Sequence, residues 1–99
     1  MIGQVVKFVE IVQNNSTTGS NYSLQEVFIN PNHIVYIRNA PWLKRELTEG
    51  KLPGLDKRQQ FSTIHLSRGS AGLDINVVGD PSDVREKIDI ITAKELLKG

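Results

Sequence analysis

Phe61-Ser62-Thr63-Ile64-His65-Leu66, then Ser67-Arg68-Gly69-Ser70-Ala71-Gly72, then Leu73-Asp74-Ile75-Asn76-Val77-Val78 follow one another without a break. Leu73, Ile75 and Val77 alternate with polar neighbours, the period-two pattern of a half-buried strand. Phe61 to Leu66 has the β-branched and aromatic content of another. Two glycines in the short link between them predict a hairpin.

Moving toward the N-terminus, residues 39–60 separate this hairpin from the earlier strands. Pro41 and Pro53-Gly54 bracket the segment. Trp42, Leu43, Glu46 and Leu47 have helical spacing, which predicts one or two turns of helix. The remainder is polar and reads as a functional or a disordered loop. Before it, His33-Ile34-Val35-Tyr36-Ile37 predicts strand three and Glu26-Val27-Phe28-Ile29 strand two. Asn30-Pro31-Asn32 breaks the chain between them, because Pro31 withdraws an amide donor and Asn tolerates turn geometry. So short a break predicts a hairpin or a sharp bend. Residues 13–23, rich in Asn, Ser and Thr, read as a polar loop. Val5 to Val12 is the first strand. Both of its faces are apolar, which places it centrally or between two packed layers.

Moving toward the C-terminus, Gly79 ends strand five and a helix over 80–98 follows. Asp80 is placed to cap it, Pro81 suits the first helical position, and Asp83 suits the positive end of the helix dipole. Val84, Ile88 and Ile91 form its apolar stripe, which Leu96 and Leu97 extend. The pattern is mainly β: five short antiparallel strands and a C-terminal α-helix, in one domain over residues 1–99.

The 99 residues include no cysteine, which removes disulfides, thiol catalysis and thiolate metal sites. No apolar run approaches the roughly 20 residues that cross a membrane, and Met1 to Lys7 lacks the layout of a signal peptide. The expected location is cytoplasmic, and the sequons at Asn14, Asn15 and Asn21 are read as chance matches. Net charge is +1, but residues 38–68 hold seven basic residues (Arg38, Lys44, Arg45, Lys51, Lys57, Arg58 and Arg68) against Glu46, Glu49 and Asp56, a balance of +4. A basic middle attracts phosphates when exposed together, yet this excess is small beside the stripes of typical nucleic-acid binders.

Catalytic constellations are lacking in the sequence. His33 and His65, the only histidines, have no metalloenzyme spacing. No Gly-x-Ser-x-Gly elbow surrounds any serine. Gly69-Ser70-Ala71-Gly72 precedes a strand where a phosphate loop needs a helix. Asp80, Asp83, Glu86 and Asp89 read as a helix start and a solvated helix face. No enzyme activity, cofactor, metal or small-molecule substrate is expected.

One pattern points beyond the fold class. Leu66-Ser67-Arg68-Gly69, with Ile75 seven positions after the Arg, resembles the second motif of the Sm-like family, and the strand order over roughly 5–78 is similar. The chain's character is also similar to Sm-like sequences of cyanophage-related marine origin. The resemblance implies a small, strongly bent five-stranded antiparallel barrel that closes into a homo-oligomeric ring. It further implies contact with single-stranded RNA through Arg68 and Gly69, with Asn32 and His33 standing near the first-motif positions. Lys44 and Arg45 of the basic segment would then line one face. The chain departs from the family in three places. Ile29 rather than Asp follows Phe28, His33 holds the Asn position, and the helix ends the chain instead of starting it. The competing expectation is a phage-type structural or protein-interaction module that binds no nucleic acid, acting in a host cell if phage-encoded. In the ring, strands four and five of adjacent subunits are expected to pair, because a short open barrel leaves an edge.

Overall fold

The computed structural model describes residues 5–16, 19–52, 54–68 and 71–98. In chain order the elements are β1 (Val6–Ser16), β2 (Gly19–Ile29), a 3-10 turn (Pro31–His33), β3 (Ile34–Asn39), α1 (Pro41–Thr48), β4 (Phe61–Arg68), β5 (Ala71–Val78) and α2 (Pro81–Lys98). The strands form one antiparallel five-stranded sheet in the order β2-β1-β5-β4-β3. The sheet is open, not a closed barrel; β2 and β3 are its outermost strands, and β1 joins β5 through the single pair Glu10 with Val77.

Two buried clusters lie against it. The first holds Val6, Phe8, Ile29, Ile64, Ile75, Val77 and Val84. The second holds Ile11, Ala40, Leu43, Leu47, Leu52 and Phe61, with Tyr22, Leu55 and Val78 against it. Phe8 and Ile11, Phe61 and Ile64, and Val77 and Val78 each differ by an odd number of positions along one strand. Side chains alternate along a strand, so the clusters occupy opposite faces. That explains why β1 is apolar on both faces: it sits between β2 and β5 and supplies both cores.

α2 covers the first face. The Asp83 amide donates to Asp80 Oδ1 at 2.8 Å, closing the predicted cap. Val84 is fully buried while Ile88 and Ile91 pack at its margin, so the stripe is seated as expected. Leu96 and Leu97 lie where side chains are not described. Gly79 makes the turn into α2 at φ +119°, a conformation that L side chains rarely adopt. Its carbonyl accepts from the buried Ser62 hydroxyl at 2.8 Å.

α1 covers the second face. Leu43 and Leu47, one helical turn apart, are both buried, as is Leu52 beyond the helix. The Ala40 amide donates to Phe61 O at 3.0 Å, tying the start of α1 to the start of β4. Residues 39–60 are therefore not a polar excursion. Four apolar side chains (Ala40, Leu43, Leu47 and Leu52) make the segment the lid of the second core.

Two further expectations are corrected. Residues 13–16 and 19–23 are strand, not loop: β1 and β2 are paired from Val6 with Ile29 out to Ser16 with Gly19; residues 17 and 18 lie outside the described residues. Asn, Ser and Thr imitate a turn in composition, but the ladder bonds come from the backbone, which every residue carries. Of the two alternatives for the Asn30–Asn32 break, the hairpin is excluded, since β2 pairs with β1 and β3 pairs with β4, and the bend stands as the 3-10 turn Pro31–His33. Strands four and five pair with each other from Phe61 with Val78 to Arg68 with Ala71; β4 pairs with β3 on its other side, whereas β5 meets β1 there only through Glu10 with Val77.

Candidate functional site

The 3-10 turn builds one end of the candidate site. Asn30 Oδ1 accepts from the Asn32 amide at 2.9 Å, and Pro31 fixes the first turn. This presents Asn32 and His33 to solvent. His33 Nδ1 lies 3.2 Å from Ser67 O, next to Arg68. Two predicted site segments, 34 residues apart, thus meet. The side chain of Arg68, and Gly69 itself, lie outside the described residues.

Beside this contact is a groove of about 420 Å³. Val27, Ile29, Leu66, Leu73 and Ile75 give it apolar walls, and Glu10, Asn30, His33 and Ser67 its polar groups. Leu73 and Phe28 are 60% and 61% exposed. Phe28 also borders a second groove of about 400 Å³, shared with Val5, Ile90, Lys7 and Lys87.

Lys44 and Arg45 are elsewhere. They belong to α1, which is tied to the Phe61 end of β4, whereas His33 sits at the Ser67 end. Six steps of about 3.3 Å put Phe61 and Ser67 roughly 20 Å apart. Lys44 is also engaged, donating to Lys57 O at 2.5 Å and to Gln59 O at 3.0 Å. Lys51 pairs with both Glu46 and Glu49 at 3.2 Å, and these carboxylates hold its ammonium above the usual lysine range. Arg58 pairs with Asp56 at 3.0 Å and holds that carboxyl below the usual range. Three of the seven basic side chains, Lys44, Lys51 and Arg58, are thus engaged within the segment that carries them.

A row of polar and aromatic groups crosses the opposite face of β3, β4 and β5, and sequence reading missed it. Arg38 lies over the Tyr36 ring, 4.4 Å from its centroid. Tyr36 stacks on His65, and His65 Nδ1 contacts Asp74 Oδ1. Thr63 donates to Asn76 Oδ1 at 2.7 Å alongside. The only sequence signal was the odd-numbered face shared by Phe61, Thr63 and His65. The register that brings Tyr36 and Asp74 to it depends on a bulge: Ile34 pairs with Leu66 but Tyr36 with His65, leaving Val35 extra.

No three His, Asp or Glu side chains cluster to hold a metal among the described residues. No helix among them is long and apolar enough to cross a membrane. No family model, curated protein or solved structure matches the chain.

Proposed function

We propose that this protein is a non-catalytic, self-assembling interaction module. The observation that carries the reading is its open sheet. β2 is an eleven-residue edge strand, with Leu24 and Phe28 exposed along it. Natural proteins blunt such edges with lysine, proline, bulges or a covering segment. Gly19–Ile29 has neither lysine nor proline, and its ladder with β1 is regular throughout. An edge of this kind gains stability by pairing with a further strand. Light scattering at tens of micromolar protein tests the reading: an oligomer is expected, and a strict monomer overturns it.

A second reading is favoured by the His33–Ser67 contact. Under it, Asn32, His33, Arg68 and Gly69 form the base-binding end of an Sm-like, phage-type ring for single-stranded RNA. An Arg guanidinium there would stack on a base. Fluorescence anisotropy with labelled oligo-U at low salt tests it, and absence of binding at high micromolar protein removes it.

A further inference from the structure

Resting on the self-assembly reading, we infer that β2 pairs antiparallel with β2 of a second copy about a two-fold axis at Gln25.

Of the two outermost strands, β2 is the unguarded one. β3 has six residues, a bulge at Val35, and Arg38 laid over Tyr36. Bulges and charges are what keep an edge from pairing. β2 has none of them along eleven residues apart from Glu26.

The side chains of β2 then select the partner and the register. Tyr22, Leu24, Glu26 and Phe28 share one face by alternation. Tyr22 packs against the second core, while Leu24 is 42% and Phe28 61% exposed. In a two-fold pair of antiparallel strands, paired residue numbers have a constant sum. With Gln25 opposite Gln25 of the second copy, Phe28 faces Tyr22 twice and Leu24 faces Glu26 twice. Aromatic cross-strand pairs are among the stabilising ones. A slip of one position on the axis, to Glu26, sets two carboxylates opposite each other, and like charges directly opposed are destabilising. A slip to Leu24 leaves Phe28, the most exposed apolar side chain of the strand, opposite Ser20. The Gln25 axis alone among these covers both aromatics and separates the charges. Closed pairing of this kind is isologous and stops at the dimer.

The chain has no cysteine, so single-cysteine variants of the full-length protein report on this interface directly. Across a two-fold strand pair, position 25 meets its own copy within disulfide reach, whereas position 24 meets its copy only diagonally, at about 7–8 Å, beyond it. Under mild oxidation Gln25→Cys is expected to give a covalent dimer in high yield. Leu24→Cys and Val35→Cys are expected to remain largely uncrosslinked. Phe28→Asp, on an exposed side chain, is expected to keep the parent's circular dichroism but shift to monomer by light scattering. An oligomer that crosslinks in any other pattern, or that survives Phe28→Asp, overturns this interface and leaves self-assembly standing. A parent protein that is monomeric by light scattering overturns both.

Discussion

His65 lies on Tyr36 with ring centroids 4.7 Å apart and planes 4° from parallel, and the same imidazole covers Gly72. A Cβ built on Gly72 would stand 2.8 Å from His65 Cε1 and 2.9 Å from Nε2, closer than carbon and nitrogen tolerate. Gly72 is therefore the floor on which the Arg38–Tyr36–His65–Asp74 row rests. Gly in a strand is ordinarily weaker than Ala by roughly 0.5–1 kcal/mol. Here the sign is expected to reverse. Gly72→Ala should lower stability by about 1 kcal/mol in urea denaturation, because His65 must leave Tyr36 or Asp74. In a His65→Ala background the same change should be neutral or stabilising. Such a sign change is the coupling that a double-mutant cycle reads.

The packing of α2 is graded along its stripe. Val84 is 1% exposed, Ile88 packs at the core margin, and Ile90 is 48% exposed. Replacement by Asp should follow that order. Val84→Asp buries an unpaired charge and should cost about 3 kcal/mol or more. Ile88→Asp should cost less, and Ile90→Asp should stay within about 0.5 kcal/mol of the parent. Three equal melting temperatures would show that α2 is not seated on the sheet.

Asp56 accepts from the Arg58 side chain and backbone, which lowers its carboxyl from the ordinary value of 3.8, the side-chain bond acting most. A depressed folded-state pKa stabilises above the unfolded value, and the contribution fades as pH falls through the folded one. The pair is exposed, so solvent screens it and its weight in stability is small. Site-resolved NMR titration is the suitable measurement. Arg58→Gln should move the Asp56 midpoint up toward 3.8.

Lys44 and Arg45 are neighbours in sequence with different roles. Lys44 bridges the carbonyls of Lys57 and Gln59 to α1, while Arg45 is exposed. Lys44→Met should lower the melting temperature by an amount equivalent to about 1–2 kcal/mol, as expected for hydrogen bonds from a charged group. Arg45→Met should be silent within about 0.5 kcal/mol. Equal effects would mean that the Lys44 tether contributes nothing.

What the sequence revealed divides along physical lines. β5 and α2 were legible because each shows its own period, Leu73, Ile75 and Val77 every second residue, Val84, Ile88 and Ile91 every third or fourth, and β4 from its β-branched and aromatic content. The double-sided burial of β1 was legible from Val5 to Val12 because apolar side chains fall on both faces of that run. The outer arms of β1 and β2 were not, because Gln13–Ser16 and Gly19–Ser23 carry few apolar side chains to set a period and are held by backbone ladder bonds. Sheet order was hidden as well. A three-residue break at Pro31 is compatible with a hairpin or with a turn out of the ladder, and only long-range pairing decides between them. For the candidate site, the meeting of His33 with Ser67 and the separation of Lys44 and Arg45 from them are both consequences of that order. The Tyr36–His65 stack needed the Val35 bulge, which leaves no local mark in the sequence.

The two functional readings separate most sharply over single-stranded nucleic acid. Of the basic side chains between 38 and 68, Lys51 and Arg58 are paired with carboxylates, Lys44 is tied to carbonyls, and Arg38 lies on Tyr36. Arg45 and Lys57 make no ion pair among the described residues, and Arg45 is at the far end of β4 from Arg68. Two phosphate contacts on a single strand give a salt slope of only about −1.4, at roughly −0.7 per contact. That is a weak electrostatic anchor. Titration of labelled oligo-U and oligo-A RNA by anisotropy, at low and moderate salt, is therefore expected to show no binding by the parent up to high micromolar protein. Binding would instead favour the Sm-like reading, and its source could then be read from variants. Loss in Arg68→Ala at unchanged salt slope would assign stacking, worth roughly 1–3 kcal/mol per base by analogy with aromatic platforms. A shallower slope in an Arg45→Glu, Lys57→Glu double variant would assign phosphate contacts. Lys44 is left intact in that comparison, since its replacement is expected to loosen α1 and would confuse lost binding with lost structure.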